Sequence, residues 1–282
     1  MQRLRLPLRL LHLSAVLLLG VLLGGLVALL ERLGHTRLSA LRQQLSRWFM
    51  ACLCRALPVQ VRISGQAPQQ PMLWVSNHVS WLDIPLLGRL APLAFLAKSE
   101  VRQWPLLGWL ASKAGTLFIR RGGNETAVIN RQLSAHLQQQ QHLLLFPEGS
   151  TTDGSYLRTF HPRLLASAID SGAPIQPVAI RYRRNGQACR LSPFVDDDEL
   201  LSHLVRLLAS ATVEVDIQLL EPLCSENASR DELARRSREL IARALSADVP
   251  EVEHSTDPSV QPRSQADSRQ AGLALQAQHT NQ

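Results

Sequence analysis

The chain has 282 residues, 45% of them hydrophobic and 5% aromatic, and carries a formal net charge of +7. That length and apolar content suit one large domain with appendages and exclude a chain with no core of its own. The last 35 residues hold five acids against two arginines, so everything before them is +10, an excess that points to an anionic partner: nucleic acid, an anionic membrane surface or phosphate-bearing substrates.

Leu10 to Leu30 is a 21-residue run with no charge and one histidine, His12, near its start. At about 1.5 Å per residue it is long enough to cross a hydrocarbon layer of about 30 Å. It is also longer than the apolar core of a cleaved signal peptide, and no small-x-small cleavage site follows, so an uncleaved anchor is expected. Arginines flank the run on both sides and leave its orientation open. Nucleic-acid binding is set aside, because no recognition element is visible and the excess charge begins beside this span.

From Leu38 the apolar positions Leu41, Leu45, Trp48, Phe49, Cys52 and Leu53 recur at helical spacing, with Arg42, Gln43, Gln44 and Arg47 on the other face. This is either a basic amphipathic helix lying in the bilayer interface or an ordinary helix packed on the domain. All five tryptophans fall between Trp48 and Trp109, which again suits an interfacial surface in the first half. The cysteines at 52, 54, 189 and 224 have no zinc-like spacing and read as reduced core or interface residues, which fits a cytosol-facing domain.

Met72 to Ser76 reads as a buried strand, followed by a helix from about Trp81 to Arg89, a short strand at Leu93 to Ala97 and an irregular stretch through Gly108. Thr116 to Ile119 is a strand ending at Arg120 and Arg121, Glu125 to Gln141 a helix, and Leu143 to Phe146 a buried strand that delivers Pro-Glu-Gly-Ser-Thr. A turn at Asp153-Gly154, a helix near Pro162 to Ser171, a strand at Ile175 to Tyr182 and a helix around Glu199 to Ala209 follow. Val213, Val215, Ile217 and Leu219 alternate as a half-buried strand, and Ser229 with Glu232 three residues on caps a helix from Arg230 to Leu245. Strands alternating with helices predict an α/β domain with a mostly parallel central sheet and flanking helices, behind an N-terminal transmembrane or interfacial helical segment. The expected division is 1–57 for the anchor and amphipathic helix, 58–246 for the domain, and 247–282 for a tail rich in Ser, Gln, Pro and Ala that is expected to be disordered.

Met-Leu-Trp-Val-Ser-Asn-His-Val-Ser-Trp-Leu-Asp-Ile-Pro, residues 72–85, organises this scheme. It places His78 and Asp83 just after a strand, at the sheet edge where reacting groups collect in open α/β folds. A neutral imidazole takes a proton from a hydroxyl when another group holds its second nitrogen, and Asp83 is the nearest holder. On a continuous helix the two would lie roughly 500° apart, about 140° off a common face, so they meet only if the chain turns into a helix between them. The alternative is that His78 fills a pocket and Asp83 serves a turn before Pro85. Glu148, Gly149 and Arg121 end two other strands and are in position to face the His78 loop. Gly149 would present amide donors and Arg121 a bidentate fork for an anion; as alternatives, Glu148 caps a helix or pairs with a cation and Arg121 lies on the surface.

Taken together, Asn77-His78-x4-Asp83, Gly115-x2-Phe118-Ile119-x-Arg121, Phe146-Pro147-Glu148-Gly149 and Pro174-x2-Pro177-Val178-Ala179 resemble the four blocks of the glycerolipid acyltransferase family in order and separation, over roughly residues 60–220. The resemblance is to the bacterial 1-acyl-glycerol-3-phosphate acyltransferases. It implies transfer of a fatty acyl group from acyl carrier protein or coenzyme A to the free hydroxyl of a lysolipid at the cytosolic face of the inner membrane, with membrane lipids as partners and no metal or bound cofactor. By position it makes His78 the general base and Asp83 its orienting partner. It puts Phe118, Ile119, Arg121, Glu148 and Gly149 in the acceptor-binding blocks and lets Pro177 and Val178 help line the site. Ser80 and Ser150 would be nucleophiles only in an acyl-enzyme route, which direct transfer does not need. One departure matters: Thr151 stands where the family most often has arginine after Phe-Pro-Glu-Gly-Thr. Arg158 or Arg163 is then the replacement, or the acceptor lacks a phosphate there. Lysophosphatidate is the first expected acceptor, lyso-ornithine lipid or another lysolipid the second, and a non-catalytic lipid-binding protein the third reading.

Overall fold

The computed structural model describes residues 2–34, 38–119, 126–195 and 198–247. Arg121 and the tail from 248 onward lie outside the described residues. Two helices open the chain, α1 (Gln2–Arg32) and α2 (Ser39–Ala56), followed by β1 (Val59–Ser64), β2 (Leu73–Ser76), α3 (Asp83–Gly88) and β3 (Leu93–Lys98). After a 3-10 turn at Ser99–Gln103 come α4 (Leu107–Ala114), β4 (Leu117–Ile119), α5 (Thr126–Gln138) and β5 (His142–Leu145). A second 3-10 turn, Pro162–Leu165, leads into α6 (Ala166–Ser171), β6 (Ile175–Arg184), β7 (Gln187–Ala188), α7 (Leu200–Ala209), β8 (Val213–Leu219) and α8 (Arg230–Ser246).

Among the described residues the strands form one sheet in the order β1-β8-β6-β2-β5-β3-β4, with β7 paired to β6 at the side. β6, β2, β5, β3 and β4 are mutually parallel, while β8 and β1, parallel to each other, run against β6. The expected mostly parallel sheet with flanking helices is present. β2 and β5 are buried on both faces, as continuous apolar runs in a parallel sheet require. Trp74 packs into one core with Leu82, Leu86, Leu207 and Ile217, while Leu73 and Val75 pack into the other with Leu133, Leu165 and Ile241.

The first helices are part of this packing. Leu13 and Val16 of α1 and Cys54 of α2 belong to the same core as Trp74 and Leu86, so residues 1–57 and the sheet share one apolar interior. α1 approaches its neighbours through glycines: a Cβ at Gly20 would meet the Phe49 ring of α2 at 2.5 Å, and one at Gly24 the Trp109 ring of α4 at 2.7 Å. Small residues four apart let a helix pack this closely on aromatic side chains. Both ends of α1 are tied down, Arg9 Nη1 donating to Leu208 O and Ser210 O and Lys113 Nζ donating to Glu31 Oε2, each at 2.7 Å. The opposite face exposes Leu11, Leu18, Leu22 and Leu29.

Three elements differ from the sequence reading. β1 pairs alongside β8 although its side chains are mostly exposed, the short β7 pairs with β6, and α4 begins at the end of the stretch expected to be irregular and runs on through residues assigned no element. Gly108 is what permits the last: a Cβ there would meet the carbonyls of Arg102 and Val101 at 2.4 and 2.6 Å, so only glycine lets α4 begin against the 3-10 turn.

Two histidines, His203 buried and His142 half-buried, hold junctions in their neutral form. His142 Nδ1 accepts from Met72 N at 3.3 Å and Trp74 Nε1 at 3.2 Å. His203 Nδ1 accepts from Trp81 Nε1 at 3.1 Å while its Nε2 donates to Pro193 O at 3.1 Å. Desolvation pushes both imidazoles below their ordinary range. Below pH of about 6.5 the unfolded chain therefore binds more protons than the folded one, and stability falls with falling pH. A thermal midpoint followed by circular dichroism should drop between pH 7 and pH 5, and less so in H142N/H203N; a flat profile in the parent chain contradicts this reading.

Candidate active site

The site lies at the C-terminal ends of β2 and β5, where both strands give way to polar loops. Asn77 continues the β2–β6 pairing with its side chain: Ile180 N donates to its Oδ1 and its Nδ2 donates to Ile180 O, both at 2.9 Å. This fixes the residue before His78 on the sheet. The chain then doubles back, with Asp83 N donating to Ser80 O at 3.1 Å and α3 starting at Asp83. That turn brings together two residues that a continuous helix would hold apart.

His78 Nδ1 and Asp83 Oδ2 are 2.7 Å apart. The same Oδ2 accepts from Val79 N at 2.8 Å and Ser80 N at 3.0 Å, and Oδ1 accepts from the Tyr182 hydroxyl at 2.5 Å. Both carboxylate oxygens are thus hydrogen-bonded, Oδ2 by three donors and Oδ1 by one. Asp83 is fully buried. Burial first, then the Asp83 charge, push the Tyr182 phenol well above its ordinary range, so it remains a donor. The imidazole stacks on Phe146, ring centres 3.9 Å apart and planes 12° from parallel. With Nδ1 bound and the ring fixed, Nε2 is the free nitrogen, and it carries no protein hydrogen bond among the described residues. In this orientation Nδ1–H donates to Asp83 and Nε2 is the basic lone pair.

Glu148 is almost fully buried, and its two oxygens each accept a backbone amide: Oε1 from His78 N at 2.9 Å and Oε2 from Arg158 N at 2.8 Å. Burial pushes its carboxyl up, and the Arg158 and His78 amides oppose this. Glu148 is thus a clamp between the His78 loop and the 157–163 segment, reinforced by Thr152 N donating to His78 O at 2.9 Å. Gly149, in the left-handed region at φ +70°, donates its N–H to Phe146 O at 3.0 Å, so the amide expected to face substrate closes a turn instead. Ile119 borders the cavity, whereas the Phe118 ring carries the Arg102 guanidinium 5.8 Å above it. Val178 is buried inside the sheet, and Pro177 pairs with Val75; β6 serves the site through Ile180 and Tyr182 rather than through those two. Ser80 is fully buried, which removes it as a nucleophile, while Ser150 borders the cavity.

That cavity measures about 1900 Å³. Its apolar wall includes Leu17 and Gly20 of α1, Phe49 of α2 and Leu110 of α4, and its polar wall includes His78, Arg158 and Arg163. Ligand pockets for small molecules are commonly about 300–1,000 Å³, so this one has room for a lipid. Sequence reasoning missed Tyr182, 99 residues from Asp83, since only the fold brings a strand tyrosine under that carboxylate.

Residues 58–181 match the family model described as Acyltransferase. The chain is 56% identical over 245 residues to a lyso-ornithine lipid O-acyltransferase of Pseudomonas aeruginosa, covering 87% of this chain and 95% of that one. It is 35% identical over 202 residues to a 1-acyl-sn-glycerol-3-phosphate acyltransferase of Neisseria gonorrhoeae, 70% of this chain and 78% of that one. The crystal structure of the 1-acyl-sn-glycerophosphate acyltransferase PlsC from Thermotoga maritima superimposes with a TM-score of 0.65 at 23% identity, over 87% of this chain and 96% of that one.

Two variants separate the parts played by the carboxylates. Y182F should lower kcat severalfold with both KM values unchanged, as expected for a residue that holds the base's partner without touching substrate. E148Q should cost about 1–3 kcal/mol of stability, because an amide group cannot accept both backbone N–H groups. Steady-state kinetics and denaturant titration measure these effects; a rise in acceptor KM without loss of stability in E148Q would make Glu148 a ligand instead.

Proposed function

This chain belongs to the acyltransferase family whose members acylate lysolipids, and on that premise we propose that it is a lyso-ornithine lipid O-acyltransferase of the inner membrane. The observation that carries the acceptor is the 56% identity across 95% of the Pseudomonas aeruginosa enzyme's length. Thr151 agrees with it: at this position, where phosphate-acylating relatives most often have arginine, the hydroxyl donates to Phe194 O at 2.5 Å and serves the loop. The order of acceptors expected from sequence is thereby reversed, with lysophosphatidate now second.

His78 is the general base in this reading. Its Nε2 takes the proton of the acceptor hydroxyl as the oxygen attacks the thioester carbonyl of acyl carrier protein or coenzyme A. A C–O bond forms, the C–S bond breaks, and the proton passes from Nε2 to the departing thiolate. Asp83 keeps the ring in the productive tautomer and stabilises the imidazolium formed in between. Phe146 holds the ring plane. Ile119 and Gly149, which border the cavity, belong to the acceptor side in this reading. Direct transfer by this route uses no metal and no bound cofactor.

The exposed leucines of α1 support a membrane anchor, and its ties at Arg9 and Glu31 support one seated against the domain along its length. The catalytic face is assigned to the cytoplasmic side, where acyl carrier protein and coenzyme A thioesters would deliver the acyl group. Because α1 also borders the cavity, the acyl chains of a lipid substrate reach the site without leaving an apolar surface.

H78A should stay folded and membrane-bound while losing about 10²–10⁴ in acyl transfer, the usual loss for a general base. The assay is labelled acyl carrier protein with membranes and a panel of lysolipids, and lyso-ornithine lipid should be acylated faster than lysophosphatidate. Near-full activity of H78A removes the mechanism, and the opposite acceptor order removes the assignment.

A further inference from the structure

We propose that Arg158 and Arg163 form the subsite that grips the anionic group of the acceptor, taking the place of the family arginine that is Thr151 here. The backbone between them is pinned from behind. Glu148 Oε2 accepts from Arg158 N at 2.8 Å, and Pro147 O accepts from His161 N at 2.9 Å. The carbonyls of Leu157 and Arg158 accept from Arg238 at 3.0 Å, and the Arg163 carbonyl accepts from Asn130 at 3.0 Å. Phe160 and Leu165 are buried beneath the segment. Every one of these ties uses main chain or the apolar side chains, and none uses the two guanidinium groups.

Those two groups border the same cavity as His78 and carry no ion pair or hydrogen bond among the described residues. Glu148, which is bonded to this segment, already has both oxygens occupied by amides. Through that one carboxylate the Arg158 backbone is also linked to the His78 backbone, so the Cα from which the cation springs is fixed relative to the base. Both side chains are exposed, and from these anchored positions each guanidinium can turn its planar fork toward a carboxylate or a phosphate.

The ligand class is a headgroup carboxylate or phosphate, and, resting on the acceptor proposed above, the group held is the ornithine carboxylate. The test compares the full-length protein in vesicles with R158Q, R163Q and the double variant, on lyso-ornithine lipid with its carboxylate free or methyl-esterified. The parent should prefer the free acid by about tenfold or more, since charge-assisted contacts are the strong ones. Each single variant should raise KM for the free acid with the acyl-donor KM unchanged, and the double variant should treat acid and ester within about twofold. Equal losses on acid and ester, or an undiminished preference in the double variant, overturn the subsite. Should the parent acylate lysophosphatidate instead, the acceptor assignment fails by itself, and the same comparison with free phosphate and its neutral dimethyl ester decides the arginines.

Discussion

The buried carboxylate of Asp83 is the constraint on which the rest of the site depends. A charge removed from water is tolerated only when its lone pairs are met, and here they are met by an imidazole, two consecutive amides and a phenol. Those donors come from the loop after β2 and from the far half of β6, so satisfying one group fixes the turn, the ring and the packing of a strand at once. Glu148 repeats the device on the other side of the histidine, joining the loop after β2 to the segment after β5. Between two carboxylates that accept backbone amides, His78 has one ring nitrogen held and one facing the cavity. That arrangement leaves a single imidazole nitrogen open to a ligand, which is what the proposed general base requires.

The membrane side obeys a different economy of contacts. The middle of α1 is apolar all round, but its two sides have different neighbours: glycines against the Phe49 and Trp109 rings, leucines toward the outside. A helix meant only to anchor has no need to lie within van der Waals range of α2 and α4. Its inner face closes the cavity that His78 opens into, so the anchor is also a wall of the site. The lining combines leucine and phenylalanine with arginine, which suits substrates that are part lipid and part headgroup.

Much of this was legible in the sequence, and the gaps have physical reasons. Continuous apolar runs at Leu73–Val75 and Leu143–Leu145 announced two-faced buried strands, and the polar residues immediately after them marked the sheet edge. β8 and the Ser229 cap of α8 were readable because alternation and capping are local. β1 was not, since Val59, Val61 and Ile63 alternate at a sheet edge that leaves them partly exposed. α4 hid behind Trp104-Pro105 and a glycine whose value lies in what it touches. The sequence placed Glu148 and Gly149 at the site and assigned them substrate contacts, whereas the structure shows both making protein contacts that hold the loops. A motif marks where a residue is required without saying whether it touches the ligand or the backbone. Tyr182 belongs to no local pattern, because its role exists only once β6 lies beside β2.

The account stands or falls on the hydrogen bond between His78 and Asp83. Nitrogen-15 NMR of the histidine ring in detergent-solubilised protein reads it directly. The geometry requires the neutral ring to carry its proton on Nδ1, with a strongly downfield Nδ1–H resonance that disappears in D83N, and an Nε2 with the shift of an unprotonated nitrogen. A ring protonated on Nε2, or one exchanging freely between both forms, would mean that the carboxylate does not hold the imidazole and that the site is not assembled as described.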